Sequence, residues 1–172
     1  MISQKKCQYI LMATITLTIC FIWGHSMMPR RISSSESGRI VAALHMLWNA
    51  LSVNYDMADH IVRKCAHFIE YAILGMQLCG LFTIRNSQQK VYEKYPNQNR
   101  VTGFLISPVT LAANTTLLVA LVDETIQIFS ARGPQIQDVW LDLFGGICGA
   151  AIVALITRSL IPSVRSYDPG DS

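Results

Sequence analysis

Charged residues are scarce in this sequence. Of its 172 residues, 15% are Asp, Glu, Lys or Arg, against roughly 25% in a typical soluble domain, and 51% are hydrophobic. The basic residues stand in short groups between apolar runs, with no basic face or aromatic platform, so the net charge of +3 does not indicate a nucleic-acid partner. The composition predicts a small helical protein whose surroundings are the lipid bilayer.

Regular cysteine spacing and the familiar catalytic motifs are also missing. The five cysteines form no C-x-x-C pair and give neither a disulfide framework nor a zinc site. The chain has no nucleophile elbow, no P-loop and no metalloprotease motif. The leading prediction therefore includes no cofactor and no metal.

What the sequence does contain is long apolar runs, four of which can cross a bilayer, a distance that takes about 20 helical residues. They lie at about residues 9–28, 62–84, 103–130 and 138–161. The first run lacks an A-x-A-like cleavage site, so we expect a retained span and not a removed signal peptide. The predicted fold is all-α, a small polytopic bundle of four membrane-spanning helices.

A weaker pattern follows the first span. Apolar residues recur there every three or four positions, at Ile40, Leu44, Leu47, Trp48 and Leu51. This period predicts one amphipathic helix at the membrane interface. We expect a single transmembrane domain over residues 1–165 and a flexible tail over 166–172.

Ionisable side chains inside the spans are the strongest functional signal, because a charge near a bilayer centre costs a few kcal/mol and normally faces partners. In the second span, Arg63, His67 and Glu70 follow a helical rhythm that puts them on one face. Lys64 lies one residue further round, and Tyr71 neighbours His67 at i+4. Arg63 and Lys64 also suit plain snorkelling at the interface, whereas Glu70 is short and lies deeper.

The third and fourth spans supply the acidic part. Asp123, Glu124 and Gln127 form one polar stripe near the end of the third span. A tight turn at Gly133-Pro134 should follow, with Arg132 just before it. Asp138 then falls at the start of the fourth helix, where free backbone amides favour a carboxylate, and Asp142 comes one turn later.

Two glycines continue the Asp138 and Asp142 side of the fourth helix. Gly145 and Gly149 form a small-x-x-x-small surface that lets another helix approach closely. We predict a helix-packing role for both.

Charge counting predicts the topology. Eight of the fourteen basic residues lie on the side of the termini and the 85–100 loop, which favours both termini in the cytoplasm. The start of the second span, the end of the third and the start of the fourth then meet at the outer surface. This end contains five carboxylates but only three cations, Arg63, Lys64 and Arg132. Charge neutrality therefore requires a charged His67, protonated carboxyls or a bound cation.

The segments RKCAHFIEYAILG and DETIQIFSARGPQIQDVWLDLFGGICG, together with FIWGHSMMP in the first span, resemble the VanZ-like family of bacterial membrane proteins. The resemblance implies a multi-pass protein of the bacterial cytoplasmic membrane. Its founding member is associated with low-level teicoplanin resistance, which implies a role in the cell envelope. The sequence departs from a common form of the family motif at Asp142, where asparagine often stands. The motifs carry over to Arg63, Lys64, His67, Glu70, Tyr71, Asp123, Glu124, Gln127, Phe129, Arg132, Asp138, Asp142 and Gly145.

Three functions fit these residues. The favoured one is a binding protein, whose ion-pair network joins the helices and shapes an outward cleft for a lipid-like or glycopeptide ligand. The second is an enzyme acting on a lipid-linked envelope substrate, with Glu124 or Asp123 as general base, His67 as proton carrier and Arg63 or Arg132 on a phosphate. The third is a metal site formed by His67, Glu70 and Asp123, for which H-x-x-E spacing alone is weak evidence.

Overall fold

The computed structural model describes residues 4–28, 30–89, 107–130 and 135–160, and over these residues the fold is all-α, as predicted. The predicted site residue Arg132, the Gly133-Pro134 turn and the tail over 166–172 lie outside the described residues. The helices, in chain order, are α1 (Gln4–Met27), α2 (Arg30–Ala43), α3 (His45–Ala50), α4 (Tyr55–Gln89), α5 (Pro108–Phe129) and α6 (Ile136–Leu160).

Four of these helices, α1, α4, α5 and α6, are long and apolar enough to cross a membrane. Their outward surfaces are apolar too: Leu17, Ile73, Leu118 and Leu155 are all exposed. An apolar exterior is stable in hydrocarbon but not in water. The prediction of a four-span bundle is confirmed.

Local sequence accounts for where two of the spans begin. Ser107 caps α5, because its hydroxyl accepts a hydrogen bond from the Thr110 backbone N–H at 3.1 Å, and Pro108 then occupies the first helical position, where its missing donor is tolerated. Asn54 acts in the same way for α4, accepting from the Met57 N–H at 2.8 Å. Helix α4 therefore begins at Tyr55, earlier than the expected start of the span near residue 62.

The interfacial segment forms two helices instead of one continuous helix, because the backbone at Leu44 departs from helical geometry, with φ −100° and ψ 18°. Ser37 and Val41 are buried where α2 packs against α4. Ile40 and Leu47 are exposed on the other side. This division of faces is the one expected of a segment lying at the membrane interface.

Helices α4 and α6 make the most extensive contact in the bundle, and glycines are the reason they can approach so closely. A Cβ atom at Gly145 would lie 2.6 Å from the carbonyl oxygen of Phe68. A Cβ at Gly149 would overlap the carbonyl oxygen of Ala72, and one at Gly75 would overlap that of Gly146. The two backbones thus touch directly, as in other small-residue interfaces of membrane proteins.

We predict that Gly149→Ala destabilises the bundle by about 1–3 kcal/mol, because the added methyl meets a backbone atom that cannot rotate away. Gly24→Ala is the matched control, since a Cβ at Gly24 meets nothing within 4 Å. Thermal unfolding of the detergent-purified variants measures both. Equal stability of the two variants would contradict direct backbone contact between α4 and α6.

Candidate functional site

The end of α1, the start of α4, the end of α5 and the start of α6 meet at one end of the bundle. Lys64 Nζ of α4 lies 2.9 Å from Asp138 Oδ1 of α6. The Ser130 hydroxyl, just after α5, donates to the Ser26 carbonyl oxygen of α1 at 3.1 Å. The polar residues of all four spans are therefore brought together here.

The acidic centre of this end is built on α5. Asp123 is fully buried, and Glu124 and Gln127 are nearly so. The Gln127 side-chain amide donates to Asp123 Oδ2 at 3.2 Å and to Glu124 Oε1 at 2.9 Å. One glutamine thus fixes the orientation of two neighbouring carboxylates on the stripe.

Glu124 also joins α5 to the following helix. Its Oε2 accepts a hydrogen bond from the backbone N–H of Gln135 at 2.9 Å, directly before α6 begins. Both oxygens of Glu124 are therefore occupied. This carboxylate holds the start of α6 against the end of α5.

Two histidines lie beside the acidic centre. His67 Nδ1 of α4 is 3.9 Å from Asp142 Oδ1 of α6, and His25 Nδ1 of α1 is 3.5 Å from Glu70 Oε1. The two imidazole rings are almost parallel, with centroids 6.4 Å apart. Each ring therefore sets a donor or a positive charge against one carboxylate.

Tyr71 closes the interior side of the site. The residue is fully buried one turn beyond His67, with its hydroxyl close enough to Asp123 and Asp142 to interact electrostatically. Its hydroxyl has no hydrogen-bond partner among the described residues. A phenol donor is thus positioned next to two buried carboxylates.

The two neighbouring cations of α4, Arg63 and Lys64, point in different directions. Lys64 reaches across to Asp138, as described above, but Arg63 turns back along its own helix, with NH2 2.7 Å from Asp59 Oδ2. Asp59 also accepts a hydrogen bond from the Ser37 hydroxyl of α2. Arg63 therefore stabilises the contact between α2 and α4, and its paired carboxylate is one that we had not included.

A cavity of about 110 Å³ opens where α1, α2 and α4 meet. Ile40, Val62 and Ala66 give it apolar walls, while Arg63 gives it a cationic group and His67 a polar one. His67 belongs to both the cavity and the acidic centre. It is the residue through which the two are connected.

Most of the predicted site residues lie close together in the structure. Among the described residues, the structure brings Lys64, His67, Glu70, Tyr71, Asp123, Glu124, Gln127, Asp138 and Asp142 to one end of the bundle.

The site also contains residues that we did not predict. The histidine of FIWGHSMMP, His25, was available as a polar residue near the end of an apolar span. Asp59 continues the four-residue spacing of Arg63 and His67 one turn upstream. Gln135 contributes only its backbone N–H, for which a side-chain pattern gives no signal.

We predict that Glu124→Ala lowers the free energy of unfolding by about 1–3 kcal/mol, because the buried Gln127 amide and the part-buried Gln135 N–H both lose an acceptor. Thr125→Ala is the control on the same helix, since Thr125 is exposed and its hydroxyl bonds only within α5. Chemical or thermal unfolding in detergent compares them. The bracing role is wrong if Glu124→Ala is as stable as the control.

Comparison with known protein families identifies one matching family. A family model described as VanZ/LLP1 matches residues 10–157, and thus takes in the polar parts of α1, α4, α5 and α6. No curated protein and no solved structure is similar enough to match the chain. The resemblance inferred from the sequence motifs is confirmed.

Proposed function

The chain belongs to the VanZ family of multi-pass membrane proteins, and we propose that it is a bacterial envelope protein whose cavity binds a lipid-like ligand with an anionic headgroup. The observation that carries this proposal is the cavity between α1, α2 and α4, where apolar walls adjoin an arginine and a histidine. The acidic centre behind it holds the helices in position. Binding, and not chemistry at Glu124, is the role that these contacts support.

The lining of the cavity favours an amphipathic ligand. Ile40, Val62 and Ala66 match an acyl or prenyl chain. Arg63 uses one part of its guanidinium group on Asp59, and this group has five N–H donors in total, so it keeps donors for a phosphate or carboxylate. In a ligand with an apolar chain and an anionic group, the chain would contact the apolar walls and the anionic group would bind Arg63.

The size of the cavity supports one of the two ligand classes suggested by the sequence. Its volume of about 110 Å³ is well below the roughly 300–1,000 Å³ of pockets that enclose drug-sized molecules. A glycopeptide is larger still, whereas a lipid can insert one part and leave the rest in the bilayer. The volume therefore favours the lipid-like ligand.

Catalysis at Glu124 has less support. A general base must come within hydrogen-bond reach of the substrate proton, and Glu124 does not line the cavity. Both oxygens of Glu124 already accept hydrogen bonds, from Gln127 and from the Gln135 backbone. Its role is better explained as structural.

Membership of the VanZ family suggests the biological setting. We propose that occupancy of the cavity by a lipid-linked envelope molecule contributes to glycopeptide resistance of the teicoplanin type. Because the ligand meets the protein at the membrane boundary, such a role requires no contact between protein and antibiotic.

We predict that Ala66→Phe, which fills the cavity, weakens binding of a long-chain polyprenyl phosphate at least about tenfold and lowers teicoplanin resistance of cells producing the protein. Ile69→Phe is the matched control, because Ile69 lies on the same helix but faces outward. Binding is measured on purified protein in lipid nanodiscs, with the neutral polyprenol of equal length as the second ligand. Folded Ala66→Phe protein that binds as wild type does, or equal binding of alcohol and phosphate, would overturn the proposal.

We further propose that both termini are cytoplasmic, so that the cavity faces outward. The support is the excess of Lys and Arg on the side of the termini. A green fluorescent protein fused after Ser172 of the full chain should fluoresce, and alkaline phosphatase fused at the same position should be inactive. The reverse pair of results would show the opposite orientation.

A further inference from the structure

We propose that His67, Asp123 and Asp142 form a binding site for a divalent transition-metal ion, Zn²⁺ or Mn²⁺. Each residue comes from a different helix, α4, α5 or α6. One ligand atom of each lies within 4.8 Å of the other two. This site goes beyond the ligand-binding function proposed above, and its ligand set differs from the His67, Glu70 and Asp123 set suggested by sequence spacing.

The distances are close to those that an ion requires. Around a tetrahedral ion with bonds of about 2.1 Å, neighbouring ligand atoms lie roughly 3.4 Å apart. His67 Nδ1 and Asp142 Oδ1 are 3.9 Å apart, so small inward movements of the side chains complete the geometry. The backbones need not move, because the glycine contacts already hold α4 and α6 together.

The second observation is that these buried carboxylates have few hydrogen-bond partners. Asp123 and Asp142 are fully buried. Among the described residues, neither oxygen of Asp142 has a hydrogen-bond partner. Buried carboxylates in native proteins are normally paired or bound to a metal. A divalent ion between Asp123 and Asp142 would neutralise both negative charges.

The remaining contacts resemble the outer shell of a metal site. Gln127 donates to Oδ2 of Asp123, which is the way an outer residue orients a ligating carboxylate. Tyr71 is fully buried in the same part of the bundle and interacts electrostatically with both aspartates. His67 also lines the cavity, on the α4 side of the cluster.

The chemistry of the three ligands favours a transition metal over Mg²⁺ or Ca²⁺. Imidazole nitrogen suits Zn²⁺ and other transition metals, whereas Mg²⁺ and Ca²⁺ prefer all-oxygen sites. Three protein ligands with a fourth position open is the arrangement of zinc sites that exchange water or substrate.

The test uses full-length protein purified in detergent, stripped with a chelator and then dialysed against Zn²⁺ or Mn²⁺. Elemental analysis should give one ion per chain for wild type, and Asp142→Asn should bind at least about tenfold more weakly. Asp56→Asn is the matched control, because Asp56 is an exposed carboxylate on α4. Circular dichroism and gel filtration confirm that each variant is folded.

Two further readouts keep the test decisive. Co²⁺ added to wild type should give ligand-field absorption bands that are absent from Asp142→Asn and from His67→Gln, so that failure of one variant to fold does not stop the experiment. Folded wild-type protein that takes up no metal, or equal loss of metal in Asp56→Asn and Asp142→Asn, would overturn the site. Ala66→Phe should keep its metal, so the cavity proposal and the metal proposal can fail separately.

Discussion

Asp123 and Asp142 place two carboxylates between three helices where water cannot screen them. Such groups are costly to bury unless charge and hydrogen bonds compensate. The neighbouring side chains reflect this requirement: Gln127 donates to one aspartate, His67 faces the other and the buried Tyr71 interacts electrostatically with both. The polar end of the bundle is arranged around this pair.

The spacing of that pair depends on residues that have no polar atoms in their side chains. His67 belongs to α4 and Asp142 to α6, and the distance between these helices is set by the glycine contacts farther along them. A change of interhelical distance at Gly149 would therefore be transmitted to the imidazole and the carboxylate. The helix packing in the apolar part thus sets the distances between charged groups in the polar part.

The sequence was informative where one side-chain pattern has one physical explanation. Apolar runs too long for a soluble core predicted the four spans, and helical spacing placed Asp123, Glu124 and Gln127 on one stripe. Arg63 shows the limit of this reasoning. Its position on the helix was predictable, but its rotamer was not, and pairing with Asp59 requires knowing that α2 packs beside it.

Two further structural features could not be predicted from the sequence pattern, for other reasons. The hydrogen bond from Gln135 to Glu124 uses a backbone group, which every residue has, so no residue type marks it. The break between α2 and α3 falls in a segment whose apolar period continues across it. Periodicity reports which side of a segment is apolar and is insensitive to a local change of backbone direction.

The half-exposed position of Ile40 has a consequence for how a ligand would be encountered. Ile40 lines the cavity and also forms part of the outward apolar face of α2. A lipid-like molecule could thus enter sideways from the leaflet, without first crossing water. Its occupancy would then follow its mole fraction in the membrane, and diluting the same amount of ligand into a larger lipid surface would empty the cavity even at constant bulk concentration.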